Sequence, residues 1–198
     1  MITNTQLVVK RFFDLTLACL LLPILILPIL ILVTVATIDI WKYGMFTQTR
    51  VGQNAKFFKI YKIRTLREGT HELGHLDNKA TQFGRFLRKT KLDELPQLFN
   101  VIKGDMSFVG PRPDIPGFAD KLEGDDRVIL KVKPGVTGSA TLKYKNEEEI
   151  LKQQLDPETY NRTVIWVDKV KINKYYVQNY SFCLDLKLIL KSTLINDN

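Results

Sequence analysis

The sequence predicts an α+β fold, mainly helical, with an N-terminal re-entrant membrane helix ahead of a compact cytoplasmic domain that carries one small hairpin and interfacial amphipathic helices. Three observations predict it. Residues 15–38, LTLACLLLPILILPILILVTVATI, form a run without a single charge. Two strand-like stretches, MFTQT and FFKIYKI, flank the turn VGQN. The last third carries apolar residues at helical spacing. A chain of 198 residues fits one packed domain, so the expected division is residues 1–40 as anchor and 41–198 as cytoplasmic domain.

A membrane crossing needs about 20 apolar residues, and the N-terminal run is long enough. A cleaved signal peptide also begins with basic residues, here Lys10 and Arg11, but its apolar core is shorter, roughly 7–15 residues. The flanks say more. Lys10 and Arg11 precede the run, and Lys42, Arg50, Lys56, Lys59 and Lys62 follow it, so a single crossing puts one basic flank on the outer side, against the positive-inside tendency. Pro23 and Pro28 lie mid-run, where each removes a helix hydrogen bond and favours a bend. A helix that enters the membrane, bends near Pro28 and returns to the same face accounts for both facts. A plain bitopic anchor with tolerated prolines is the other reading.

In FFKIYKI, Phe58, Ile60 and Lys62 alternate with Phe57, Lys59, Tyr61 and Ile63, the two-residue period of a strand. Residues 66–81 are polar and read as a loop. Phe83 to Lys89 reads as a short helix with Phe83, Phe86 and Leu87 on one face. Leu92, Leu95, Leu98, Phe99 and Ile102 mark an amphipathic helix, with Thr90 as N-cap and Pro96 in its first turn. Gly104, Gly110, Pro111 and Pro113 punctuate a loop around the apolar run 106–109, and Lys133-Pro134-Gly135 marks another turn. Helices are expected over 147–155, 158–180 and 182–195. The last sets Phe182, Leu184, Leu186, Leu188, Ile189 and Leu190 beside Lys187 and Lys191, a pattern that suits the membrane surface or the domain core equally.

The chain has 29 Lys and Arg against 21 Asp and Glu, a net charge of +8. That excess calls for an anionic partner: nucleic acid, an acidic membrane face, or phosphorylated substrates. Cys19 and Cys183 sit in apolar settings far apart, which is no disulfide framework and indicates a reducing compartment. The chemistry concentrates in residues 85–113, RFLRKTKLDELPQLFNVIKGDMSFVGPRP. Asp93 and Glu94 follow Arg85, Arg88, Lys89 and Lys91, and Arg112 stands between two prolines. Paired carboxylates among cations suit phosphoryl transfer, in which one acid attacks or binds a metal while cations hold the phosphate oxygens. At a helix N-terminus both acids would be ionised, and Pro113 keeps Arg112 extended. Asp105 is a weaker candidate, equally suited to capping the turn after the helix. A rival reading rests on His71-Glu72-Leu73-Gly74-His75, which matches the H-E-x-x-H zinc-protease signature with Glu94 as third ligand. That motif works on a helix, and the surrounding residues offer no apolar face to anchor one.

The segments KRFFDLTLA, FTQTRVGQNAKFFKIYKIRT, RKTKLDELPQLFNVIKGDMSFVGPRP, KPGVTG and YYVQNYSFCLDLKLILKS, in this order, resemble the monotopic phosphoglycosyl transferases, or bacterial sugar transferases, in their small form. The resemblance implies transfer of a phosphosugar from a nucleotide diphosphate sugar, usually a UDP-sugar, to polyprenol (undecaprenyl) phosphate, releasing UMP. Such a step would initiate glycoconjugate biosynthesis. It implies Mg²⁺ held at Glu94 and Asp93, Asp93 as the nucleophile that forms an aspartyl-phosphosugar, and Lys59, Arg88, Arg112 and Pro113 at the substrate phosphates. It further implies a location on the cytoplasmic face of the bacterial inner membrane, with Pro28 as the break of a re-entrant helix. Membrane lipids and downstream glycosyltransferases are the implied partners, with no nucleic acid. One departure is visible: the family often has Ser before the breaking proline, where this chain has Leu27, and Pro23 is the candidate to compensate.

Overall fold

The computed structural model describes residues 1–67, 69 and 76–194, with backbone alone at 76 and 77. Its largest element is α1, Asn4–Ile40, which continues through Pro23 and Pro28. Thr3 caps it in a reciprocal box: the Gln6 amide donates to Thr3 Oγ1, and the Thr3 amide donates to Gln6 Oε1. Trp41 ends it in a left-handed conformation. Trp41 and Tyr43 are both largely exposed just past the helix end, where aromatic residues favour a membrane–water boundary.

α1 is tied down along its whole length. The Ile2 amide donates to Val177 O. Lys10 is buried against Asp185 at 2.5 Å, and Arg11 donates to Val101 O and Ile102 O. Further along, Ala18, Leu21, Leu22 and Leu25 pack with Ile60, Leu98, Val101 and Met106. Leu32, Val33 and Ala36 pack with Ile63 and Leu87. At the far end Thr37 Oγ1 accepts the Gly44 amide, and Thr81 donates to Asp39. The outward face keeps Phe12, Leu20, Ile24, Leu27, Leu30 and Ile38 exposed.

The hairpin expected from strand alternation is present: β1 (Met45–Val51) pairs antiparallel with β2 (Phe57–Ile63), Gln48 opposite Ile60. α2 (Gln82–Thr90) follows; Leu87 is fully buried on it, whereas Phe86, expected on the same face, is 52% exposed. The next expectation needs correction. Thr90 does not cap a following helix: its hydroxyl donates back to Phe86 O and Leu87 O. Lys91 then turns left-handed at φ 58°, and Leu92–Glu94 form a 3₁₀ turn before α3 (Gln97–Lys103). The backbone break at Lys91 thus places the acids just ahead of α3 rather than in its first turn.

β3 (Ser107–Val109) and β4 (Gly135–Thr137) form a parallel pair, a pairing too short to leave an alternation signal in sequence. Behind it lies the main core, with Val109, Ile129, Leu130, Val132, Val170, Tyr176, Val177 and Leu188. A long 3₁₀ segment, Gly124–Lys131, supplies several of these residues. The C-terminal third comprises α4 (Ser139–Lys143), α5 (Glu147–Lys152), α6 (Pro157–Tyr160), α7 (Trp166–Gln178) and α8 (Phe182–Leu194). The single helix expected over 158–180 is interrupted by a π-helical turn at Asn161–Ile165. α8 seats Leu188 in the core and leaves Leu186, Leu190 and Leu194 exposed, so one of its faces takes the core setting.

Candidate active site

The 3₁₀ turn, β2 and the loop after β3 converge on one buried cluster. Asn100, fully buried on α3, sets its geometry: Nδ2 donates to Lys59 O at 2.8 Å, and Oδ1 accepts the Tyr61 amide at 3.0 Å. These bonds clip β2 against α3 and aim the next inward residue, Lys62, at the acids. Lys62 Nζ donates to Glu94 Oε1 at 2.8 Å and lies 4.0 Å from Asp93 Oδ2. From the other side Arg112 Nη2 donates to Glu94 Oε1 at 2.5 Å, with Nη1 3.4 Å from Oε2. The clamp is a forked guanidinium–carboxylate contact plus a lysine.

The loop carrying Arg112 is fixed by backbone contacts that only glycines permit. Gly110 N donates to Thr137 O, and Gly135 N donates to Pro111 O. A β-carbon on Gly135 would lie 2.1 Å from Gly110 N, which explains why GPRP and KPG occur as a pair. Arg50 completes the loop's support by donating to Pro113 O at 3.2 Å and to Gln48 Oε1 at 2.6 Å.

The two acids sit in different electrostatic states. Burial alone would raise Glu94, but Arg112 and then Lys62 hold it well below the usual carboxylate range. Asp93 moves the other way: burial raises it, Lys62 offsets this in part, and the neighbouring Glu94 charge raises it further. The expectation that a helix dipole keeps Asp93 readily ionised is therefore corrected, because desolvation wins. Asp93 Oδ1 is buried with no hydrogen-bond partner among the described residues. A lone pair left unsatisfied in a buried carboxylate costs stability, and such cost concentrates where an oxygen is kept ready for an incoming ligand.

Of the other residues picked out from sequence, Arg88 stands close enough for its charge to favour ionised Asp93 and lies 3.7 Å from Glu148. Lys59 is exposed and, by strand alternation, lies on the opposite face of β2 from Lys62; the cation brought to the acids is Lys62. Asp105 is not in the cluster. It lies 3.3 Å from Lys103 Nζ, and its amide donates to Asn100 O in the turn ending α3. His71 and His75 lie outside the described residues. Their proposed third ligand, Glu94, lies against Lys62 and Arg112, and no group of three or more metal-binding side chains occurs among the described residues.

Two further site residues escaped the sequence reading, Arg50 and Asp114. Burial and the Arg112 charge lower Arg50 to about 10. Burial pushes Asp114 up to about 7, against the pull of Lys169 and Arg50. A raised folded-state value means the fold favours protonated Asp114, so its share of stability is present at low pH and is lost as pH climbs towards about 7. Asp114→Asn removes that dependence. The stability difference between variant and wild type, followed by denaturant unfolding in detergent, is expected to move in the variant's favour between pH 5 and 8. A difference independent of pH would mean Asp114 ionises as it does in the unfolded chain.

The bacterial sugar transferase family model matches residues 5–196. The chain belongs to the bacterial sugar transferase family, a family of enzymes. It is 36% identical over 186 residues to "Uncharacterized sugar transferase EpsL" of Bacillus subtilis strain 168, covering 92% of this chain and 84% of that protein. It is 31% identical over 192 residues to UDP-N-acetylgalactosamine-undecaprenyl-phosphate N-acetylgalactosaminephosphotransferase of Aeromonas hydrophila, covering 93% of this chain and 42% of that one. A third relative, undecaprenyl-phosphate glucose phosphotransferase of Komagataeibacter xylinus, is 31% identical over 91% of this chain and 34% of its own length. The chain therefore spans less than half of the last two relatives.

Proposed function

We propose that this enzyme transfers a sugar 1-phosphate from a UDP-sugar to polyprenol phosphate by way of an aspartyl-phosphosugar, at the cytoplasmic face of a bacterial membrane. The observation that carries the mechanism is the division within the acid pair: Glu94 is clamped by Lys62 and Arg112, while Asp93 Oδ1 is buried and unpartnered. In the first step an Asp93 oxygen attacks the sugar-bearing phosphorus and forms a P–O bond. The P–O bond to the bridging oxygen breaks, and that oxygen leaves with UMP. In the second step a phosphate oxygen of the acceptor attacks the same phosphorus. The bond to Asp93 breaks, and the carboxylate is regenerated. Arg112 presents its guanidinium from a fixed loop to the diphosphate, and Lys62 holds positive charge beside both acids.

Magnesium fits this donor set. Mg²⁺ uses one or two carboxylates and completes its shell with phosphate oxygens and water, so Glu94 Oε2, whose contact to Arg112 is the longer one at 3.4 Å, and the donor's phosphates would hold it. When bound it would neutralise charge on the leaving phosphate. A direct test omits the acceptor: wild type incubated with a UDP-sugar and Mg²⁺ is expected to gain the mass of one phosphosugar and to release one equivalent of UMP. UMP release that requires the acceptor, with no covalent adduct, would sink the two-step route.

The ties at both ends of α1 support a re-entrant, monotopic placement. Lys10 and Arg11 near its start and Thr37 and Asp39 near its end bond to the same domain, so both ends belong on one side of the bilayer. The two prolines lie between these ties, inside the lipid-facing stretch. Cysteines introduced at Asn4 and Lys42 are expected to stay protected from an impermeant thiol reagent in whole cells. Labelling at Asn4 alone would mean that the helix crosses.

A further inference from the structure

We infer that the cleft between the amino-terminal turns of α1 and the Lys133 turn ahead of β4 binds one anionic glycerophospholipid, its phosphodiester between Arg11 and Lys133 and its acyl chains along α1. This rests on the reading that α1 lies in a membrane. The cleft is a cavity of about 440 Å³ lined by Leu7, Val8, Phe12 and Leu15 on its apolar side, with Arg11 and Lys133 among its polar residues. Such a volume is in the range of small-ligand sites. Val8 and Phe12 are 68% and 73% exposed, so the apolar wall opens outward along the lipid-facing helix.

The polar end has a built cradle. Gly104 turns there at φ +93°, and the place where its β-carbon would sit lies 3.3 Å from Lys133 Nζ and 3.4 Å from Arg11 Nη2. Two cations therefore converge on one small space. Arg11 is already oriented by its bonds to Val101 O and Ile102 O, and Lys133 makes no ion pair among the described residues. Burial lowers Lys133 first and the Arg11 charge adds to it, against the pull of Asp14 and Asp105. The carboxylate in the cleft, Asp14, has Oδ1 engaged by the Phe108 amide, and Lys10 is matched by Asp185. Asp14 and Asp105 are the carboxylates whose charges reach Lys133, and an anion bound between the two cations relieves the repulsion of Arg11.

Position separates this ligand from the acceptor substrate. Arg11 meets the carboxyl end of α3, whereas Asp93 and Glu94 precede its amino end. Seven residues of helix at about 1.5 Å each put roughly 10 Å between the two places. A phosphate in the cleft is out of bonding reach of Asp93, which suits an unreactive diester rather than a substrate.

The test uses the full chain. Flotation with phosphatidylcholine vesicles reads the anchor alone, and native mass spectrometry from mixed vesicles of phosphatidylcholine and phosphatidylglycerol reads the site. Wild type is expected to float with either vesicle and to retain one phosphatidylglycerol. Lys133→Glu, with Lys133→Gln as the milder variant, is expected to float equally and to lose the bound lipid at least tenfold. Equal retention of both lipids, or retention unaffected by both variants, would overturn the site while leaving the anchor intact. Displacement of the lipid by millimolar inorganic phosphate would make it a phosphate site and overturn the lipid assignment. Retention of polyprenyl phosphate in preference to phosphatidylglycerol would do the same. Failure to float with phosphatidylcholine would remove the membrane reading itself.

Discussion

Asp93→Asn is expected to lower transfer by about 10⁴-fold or more, the scale seen when an enzyme loses its nucleophile. Asparagine keeps the shape and removes the charge, so binding of the donor should change far less than turnover. The covalent adduct should vanish with the turnover. A second signature separates this role from a structural one. Because burial and Glu94 raise Asp93, the acid limb of the wild-type kcat/KM profile should lie above the ordinary carboxylate range of about 4. Glu94→Gln removes the neighbouring negative charge and should move that limb downward in whatever activity remains. A variant Asp93→Asn with normal turnover would end the covalent mechanism. An acid limb that ignores Glu94 would end the electrostatic account of it.

Lys10→Met is expected to destabilise the fold by about 3–5 kcal/mol, the cost of leaving a buried charge without its partner. Asp185 is almost fully buried. It accepts hydrogen bonds from the Tyr176 and Tyr180 hydroxyls at 2.7 and 3.3 Å, but neither hydroxyl supplies a charge. The double variant Lys10→Met/Asp185→Leu should recover much of the loss, because an apolar pair in that place leaves nothing unpaired. Thermal unfolding in detergent checks both. A single variant within 1 kcal/mol of wild type would show that water or another cation reaches Asp185.

The parts of this molecule that were legible in sequence are those with a period. Alternation in FFKIYKI gave the hairpin, and apolar spacing gave α2, α8 and the body of α3. What escaped was decided by single backbone events or by remote contacts. A left-handed Lys91 ends α2 and moves Asp93 and Glu94 into a turn, and nothing in RKTKLDE distinguishes that from a helix start. The parallel contact of β3 with β4 joins segments 28 residues apart in register, Ser107 with Gly135, through three-residue strands with no pattern of their own. Within the site, the acid pair and the Arg112 loop stood out by composition. Parity did not decide the face of β2: Ile60 and Ile63, of opposite parity, are both buried, so alternation alone could not choose Lys62 over Lys59. Asp114 and Arg50 carry no local mark, since their states follow from neighbours supplied by α5, α7 and the Arg112 loop.

The tie between Lys10 and Asp185 sets a timetable for biosynthesis. The two residues are 175 positions apart, and a ribosome adds about 5–20 residues per second, so the lysine waits on the order of 10–35 s for its partner. Val177, which receives the Ile2 amide, is made almost as late. During that interval the exposed apolar face of α1 has no cover from its own chain, and Lys10 stands without its carboxylate partner. α1 is therefore made first, held along its middle and far end by contacts from residues up to Met106, and closed at its charged start last. A nascent chain halted before the final helix would carry Asp93 and Glu94 already made and its frame still open.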